Sequence, residues 1–308
     1  MQLATFLWIY LLLTLGNVGH YQVAGPAGRD TAFTIIRLLP EVMISPLPGE
    51  IDESSGLMVW DDLLWTLNDS GGEEAIYGLD PQTGMIRKTI HIQNAKNRDW
   101  ESLTQDGTNI YIGDFGNNWG RRRDLGIRII SKKDVGEGAK STVQATLLNF
   151  SYPGQKSFAP ALYRSAFDCE AMVAGGDSLY LFTKDWQTRK TFLYRLPAKP
   201  GVYSAELLDS FDVKGLVTGA AWDPQRHLLA LSGYENFYPL VWLFYDFNGT
   251  DFFSGKAVQV TYPEFYRAQT EGIAFYGKDD LLVSSEQTKL EGAVYRFSVG
   301  EIISTGKR

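Results

Sequence analysis

From about residue 50 to the C-terminus, short apolar, β-branched and aromatic runs alternate with Gly, Asp, Asn and Pro. This is the punctuation of strands joined by turns. One triplet opens such a run five times, as a polar, a small and an apolar residue: Ser55-Gly56-Leu57, Glu101-Ser102-Leu103, Glu170-Ala171-Met172, Thr218-Gly219-Ala220 and Glu271-Gly272-Ile273. The spacings are 46, 69, 48 and 53 residues, the length of one supersecondary unit per repeat. The second repeat predicts strands at 99–104, 109–113, 125–131 and 142–150, and the third at 169–173, 178–183, 191–196 and 203–211. The last predicts 271–275, 280–284 and 292–297, with no fourth strand before Arg308, while Thr34 to Met43 forms an orphan strand upstream of the first repeat. Pairing the two closes a ring and removes its exposed edges. The expectation is an all-β, five-bladed β-propeller of four-stranded antiparallel blades, closed by an N-terminal strand. A sixth blade inside the long gap between Glu101 and Glu170 is the alternative, although that segment supplies only the strands one blade requires. Helical periodicity is nearly absent after the leader.

The leader is the apolar stretch from Leu3 to Val18, followed by small residues at Ala24-Gly25-Pro26-Ala27 ahead of the first charge at Arg29. It falls short of the roughly 20 apolar residues that span a bilayer. Residues 1–27 therefore read as a secretory signal peptide, although the usual basic n-region is missing, and residues 28–308 as a single propeller domain. An uncleaved anchor is the alternative. The expected location is exported, periplasmic or extracellular, with no stable membrane span in the mature chain, which we expect to be a monomer.

Charge and composition narrow the chemistry. A formal net charge of −7 argues against a nucleic-acid partner, which would show as a basic face. The single cysteine, Cys169, allows no intrachain disulfide and sits in an apolar strand pattern that reads as buried. With three histidines and no G-x-S-x-G elbow, the serines at 54 and 55 make a poor case for an esterase.

In a propeller the start of strand one and the end of strand two of each blade share one face. That mouth collects Ser55, Glu101, Glu170, Thr218 and Glu271 from the first strands. From the second-strand ends it collects Asn68, Asp69, Asp114, Asn117, Asn118, Lys184, Glu235 and Glu286. Three glutamates on a narrow axis repel one another unless they take up protons, water or a cation. An oxygen-only donor set with so little His and Cys favours Ca2+ over transition metals. Ser55, Glu101, Glu170, Thr218 and Glu271 are the expected metal ligands; the competing reading has them fixing blade-to-blade contacts through backbone hydrogen bonds. Arg121-Arg122-Arg123 lies on the same mouth, either as solvated surface or as a clamp for an anionic group. Arg121, Arg122, Lys184, Asn68, Asn117 and Asn118 are the expected substrate contacts. Asp69 and Asp114 are the candidate general bases, with turn capping as the competing role.

Two resemblances attach to these residues. The strings ESSGL, LWTLNDSGG, DWESL, IYIGDFGNN, DCEAM and TEGIAF are similar to the signatures of a set of exported bacterial five-bladed propeller proteins, spanning most of residues 50–290. That resemblance implies export and supplies no activity. The order Ser55, Glu101, Glu170, Thr218, Glu271 also resembles the tunnel ligands of the calcium-activated nucleotidases, the apyrases, which run Ser, Glu, Glu, Ser, Glu in blade order around a calcium ion. Threonine at the fourth position keeps the hydroxyl. The nucleotide-contacting residues of that family do not carry over, so the resemblance implies metal binding more than nucleotide hydrolysis. The functional expectation is a propeller with calcium on its axis that binds or hydrolyses a small anionic ligand, phosphate- or carboxyl-bearing, at the mouth. The alternative is a non-catalytic module whose aromatic loops contact a glycan or protein partner around a structural metal.

Overall fold

A computed structural model describes residues 33–307. The predicted leader and the start of the predicted mature domain, through residue 32, lie outside the described residues.

Two short strands, β1 (Phe33–Arg37) and β2 (Glu41–Ile44), precede the repeats. Blade 1 is β3 (Ser54–Trp60), β4 (Leu63–Asn68), β5 (Ala75–Leu79) and β6 (Ile86–Ile92). The next stretch holds β7 (Trp100–Gln105), β8 (Asn109–Asp114), β9 (Gly126–Ser131), β10 (Lys140–Val143) and β11 (Thr146–Ser151), and the third β12 (Cys169–Gly175), β13 (Ser178–Thr183), β14 (Thr191–Pro197), β15 (Gly201–Ser204) and β16 (Glu206–Phe211). Blade 4 is β17 (Leu216–Asp223), β18 (Leu228–Glu235), β19 (Tyr238–Tyr245) and β20 (Lys256–Thr261). Blade 5 is β21 (Thr270–Tyr276), β22 (Asp280–Ser285) and β23 (Ala293–Ser298), followed by the helix α1 (Val299–Gly306). These strands form five sheets, so the described chain is a five-bladed β-propeller and the six-bladed alternative falls away.

The second strands show why the ring holds. They are apolar on both faces, and their two alternating sets serve opposite neighbours, as the period-two geometry of a strand requires. Ile110 and Ile112 of β8 pack toward blade 1, while Tyr111 between them packs toward blade 3. Leu179 and Leu181 of β13 face blade 2, and Tyr180 and Phe182 face blade 4. Leu281 and Val283 meet blade 4, while Leu282 meets blade 1. Each of the five hydrophobic clusters thus fills the space between two adjacent blades, and the ring has no single centre of burial.

Closure follows the expected route with one difference. The N-terminal segment read as one strand is two, and they join different blades. Strand β2 completes blade 5 antiparallel to β23, with Val42 opposite Tyr295. Strand β1 adds instead to the outside of blade 4, parallel to β20. The same device recurs: β10 leaves blade 2 to lie parallel to β6 of blade 1, and β15 leaves blade 3 to lie parallel to β11 of blade 2. The predicted fourth strands at 142–150 and 203–211 are therefore each divided between two blades.

The C-terminal helix is absent from the strand-only expectation. The Ser298 hydroxyl caps it by accepting from the Glu301 N–H at 3.0 Å, and Val299 and Ile302 bury against the blade 4–blade 5 core. Its local signal is the Ser-x-x-Glu spacing of a capping box. Among the described residues no helix is long and apolar enough to cross a membrane.

Candidate functional site

The five triplets sit where each inner strand breaks register. In β7, Trp100 pairs with Asp114 and Ser102 with Gly113, so Glu101 is skipped. Glu170 is skipped in β12 and Thr218 in β17, Glu271 with Gly272 in β21, and Gly56 in β3 directly after Ser55. A β-bulge re-aims one side chain and bends its strand. Five of them at one level turn polar residues inward, and Glu101, Glu170 and Glu271 are each almost fully buried.

The small residues of the triplets let the inner strands touch. A methyl group on Gly219 would come within 2.1 Å of the Glu271 carbonyl oxygen, and one on Gly272 within 2.7 Å of the Gly56 backbone. Two of the five expected metal ligands serve this contact. The Ser55 hydroxyl donates to the Glu101 carbonyl at 2.9 Å, and the Thr218 hydroxyl to the Thr270 carbonyl at 2.6 Å, each from one blade to the next. Glu170 is engaged as well, with Oε2 at 2.6 Å from Lys184 Nζ. Glu271 Oε2, in contrast, is buried with no hydrogen-bond partner among the described residues.

The tightest acidic group lies toward blades 1 and 2. One carboxylate oxygen from each of Asp69, Asp99 and Glu101 lies within 4.8 Å of the others. The backbone of Gly116 forms one wall, since an added Cβ there would stand 2.3 Å from Glu101 Oε1 and 2.5 Å from Asp99 Oδ2. Burial pushes Asp69 up to about 6, although the Ser70 N–H opposes the shift. Burial and the neighbouring Asp69 charge push Asp99 up to about 7. Burial, then the charges of Asp69 and Glu170, hold Glu101 well above the carboxylate range. Burial and Asp69 also push Glu286 up to about 8. Asp168, buried nearby, accepts from the Asn117 N–H at 2.6 Å and the Trp186 indole at 2.7 Å.

Beside this group opens a polar cleft of about 440 Å³, lined by Ser70, Arg98, Asp99, residues 117–119, Arg121, Arg122, Asp124, Leu162 and Tyr163. The three consecutive arginines have separate fates. Arg122 Nη2 binds Asp114 Oδ1 at 2.8 Å and its Nε binds Asp124 Oδ1 at 3.2 Å. Arg123 stacks on Phe158 at 3.6 Å from the ring centroid. Arg121 is exposed and lies 5.7 Å over the Trp119 ring.

The other expected contacts divide similarly. Asn68 donates to the Glu50 carbonyl at 2.8 Å and Asn117 to the Phe167 carbonyl at 3.2 Å, both inside the loop framework. Asn118 lines the cleft. Asp114 is held by Arg122 and, at 3.4 Å, by Arg128, whereas Asp69 faces the acidic group. Asp99 and Asp168 were not among the expected site residues. Their signal was present as Asp-x-Glu in DWESL and DCEAM, where strand alternation places the aspartate on the same side as the glutamate two residues on.

The mouth also carries most of the exposed large apolar side chains. Trp119 is 46% exposed, Tyr163 53% and Phe237 62%, and the rings of Tyr238 and Tyr266 meet at 4.7 Å between centroids with a tilt of 41°.

No protein-family model and no curated protein sequence matches the chain. Solved structures that share part of the chain path include the nidogen/laminin complex, at 13% identity over 80% of this chain and 76% of that chain, TM-score 0.43. RS223 β-xylosidase aligns at 9% identity over 84% and 94%, TM-score 0.46. A GH43_1 enzyme from Xanthomonas citri aligns at 11% over 84% and 90%, TM-score 0.46. Likenesses this distant carry no argument about chemistry.

Proposed function

We propose that the mouth of this propeller is a binding site for a small anionic ligand bridged by a hard divalent cation, with Ca2+ the best match. The observation that carries this reading is the juxtaposition of the Asp69, Asp99 and Glu101 carboxylates with a cleft lined by Arg98, Arg121 and Arg122. The donor set is all oxygen, which suits calcium. The acidic surplus of Asp69, Asp99 and Glu101 supports a cation at this end of the axis. Asp69, Asp99 and Glu101 would hold the ion, which would supply positive charge to a phosphate or carboxyl group. Arg121, which forms no ion pair among the described residues, would meet the same anion from the Trp119 side. In a hydrolase Asp69 would be the proton acceptor, since Asp114 is committed to two arginines. The apolar leader suggests that this chemistry belongs to an exported protein.

The test is a calcium titration of chelator-stripped protein by calorimetry and thermal melting. One binding event is expected, weakened by about 10–100-fold in Asp99→Asn. Phosphate esters and carboxylated sugars are then titrated with and without the ion. A flat calcium titration sinks the reading.

The exposed aromatic rim favours a second reading, a recognition module for a glycan or protein, because aromatic side chains are enriched in binding surfaces. Ligand binding that is indifferent to calcium and lost in Trp119→Ala would favour it.

A further inference from the structure

Part of the carboxylate ring is served by a cation that the chain itself supplies. Lys184 follows β13 directly, on the mouth side of blade 3, and is buried with Nζ 2.6 Å from Glu170 Oε2. The rings of Trp186 and Tyr234 flank the ammonium at 4.8 and 5.3 Å. Glu271, reaching in from β21, keeps Oε2 fully buried and unpartnered among the described residues. The hydroxyls of Ser55 and Thr218 are directed to backbone carbonyls. An all-oxygen pair of inward-aimed glutamates and one compact cation therefore meet at one level of the axis. Lysine brings a single charge and three donors on a flexible stem; it pairs with Glu170 and leaves the Oε2 of Glu271 without a partner among the described residues.

We infer that the Lys184 ammonium occupies a latent divalent-cation site between Glu170 and Glu271, and thereby confines a hard cation to the Asp69, Asp99 and Glu101 side of the mouth. The second half rests on the reading proposed above; the first does not. The residue acts as a built-in counter-ion, and its removal converts the axis from self-neutralised to metal-requiring. Oxygen donors released in this way take calcium or magnesium in preference to zinc or copper.

The experiment uses the whole chain with Lys184→Met, which keeps the stem and removes the charge. In chelator the variant should melt at least about 5 °C below the wild type, because one partner of a buried pair is lost. Calcium should restore it and should reveal one binding event more than the wild type shows. That added event should persist when Asp99→Asn is combined with Lys184→Met, and should be missing from Lys184→Arg, which keeps the charge. An unchanged melting point in chelator, or an equal calcium response in both proteins, overturns the inference. If Lys184→Met does not fold with or without calcium, the double variant Lys184→Met, Glu170→Gln decides in the same direction. Folding of the double variant shows a charge requirement that calcium cannot meet, and its failure to fold shows that Lys184 acts through packing. An added event in Lys184→Met beside none in the wild type overturns the Asp69 site and leaves this one standing.

Discussion

At the scale of residues, the mouth is defined by carboxyl groups that bind protons more tightly folded than unfolded. Asp69, Asp99 and Glu286 are pushed up to about 6, 7 and 8, from unfolded values near 4. Their stabilising contribution is complete below the unfolded values and is lost as pH rises through the folded ones. In chelator the melting temperature should therefore fall between about pH 5 and 8, and the gain on adding calcium should grow over the same window. Thermal melts across pH with and without the ion check this, and a chelated protein that becomes more stable toward pH 8 contradicts it. The sequence made the glutamates legible because the triplet repeats. It did not reveal which groups are already satisfied. Ser55 and Thr218, expected as ligands by position, also donate to carbonyls of the next blade, and Lys184, expected as a substrate contact, pairs with Glu170. Hydrogen-bond partners so far apart along the chain leave no trace in local pattern.

At the scale of elements, the inner strand is the part under the tightest constraint. Its bulges aim the polar residues, and its glycines allow one backbone to approach the next. Gly219→Ala would bring a methyl group 2.1 Å from the Glu271 carbonyl oxygen and 2.5 Å from the Ser232 hydroxyl oxygen. Backbone cannot move aside as a side chain can, so a loss of at least about 1–3 kcal/mol is expected in denaturant unfolding. A variant as stable as the wild type would show that the inner strands have slack. Strands were legible in the second, third and last repeats, with bounds within a residue or two for β8, β12 and β13. Strand partnership was not. Residues 140–143 and 201–204 carry the same period-two pattern as the strands they lead into, and alternation states which face is buried without naming the neighbour. The helix after β23 leaves little periodic trace in the sequence because its buried face rests on only two positions, Val299 and Ile302.

At the scale of the whole molecule, the ring depends on the first described strands meeting the last. Strand β2 gives β23 its outer partner, and β1 covers the edge of blade 4. The Glu41–Arg296 ion pair across that seam is solvent-exposed and adds at most about 1 kcal/mol, so strand pairing and the packing of Ile44 and Leu47 against blade 1 do the closing. Truncation through Ile44 should leave an open apolar edge and yield oligomers or precipitate, whereas removal of residues 1–32 alone should leave a monomer. Light scattering after size exclusion distinguishes these outcomes, and a stable monomer after the longer truncation would mean that the ring does not need its clasp. The same seam sets a timetable for the growing chain. Val42 is made 253 residues before Tyr295 (295 − 42), so the nascent protein must hold one half of this pairing unmatched while four blades assemble. Contacts this distant along the chain slow folding and lengthen the period in which a bare strand can meet the wrong partner. The moment of greatest vulnerability for this protein is thus the interval just before β23 is made.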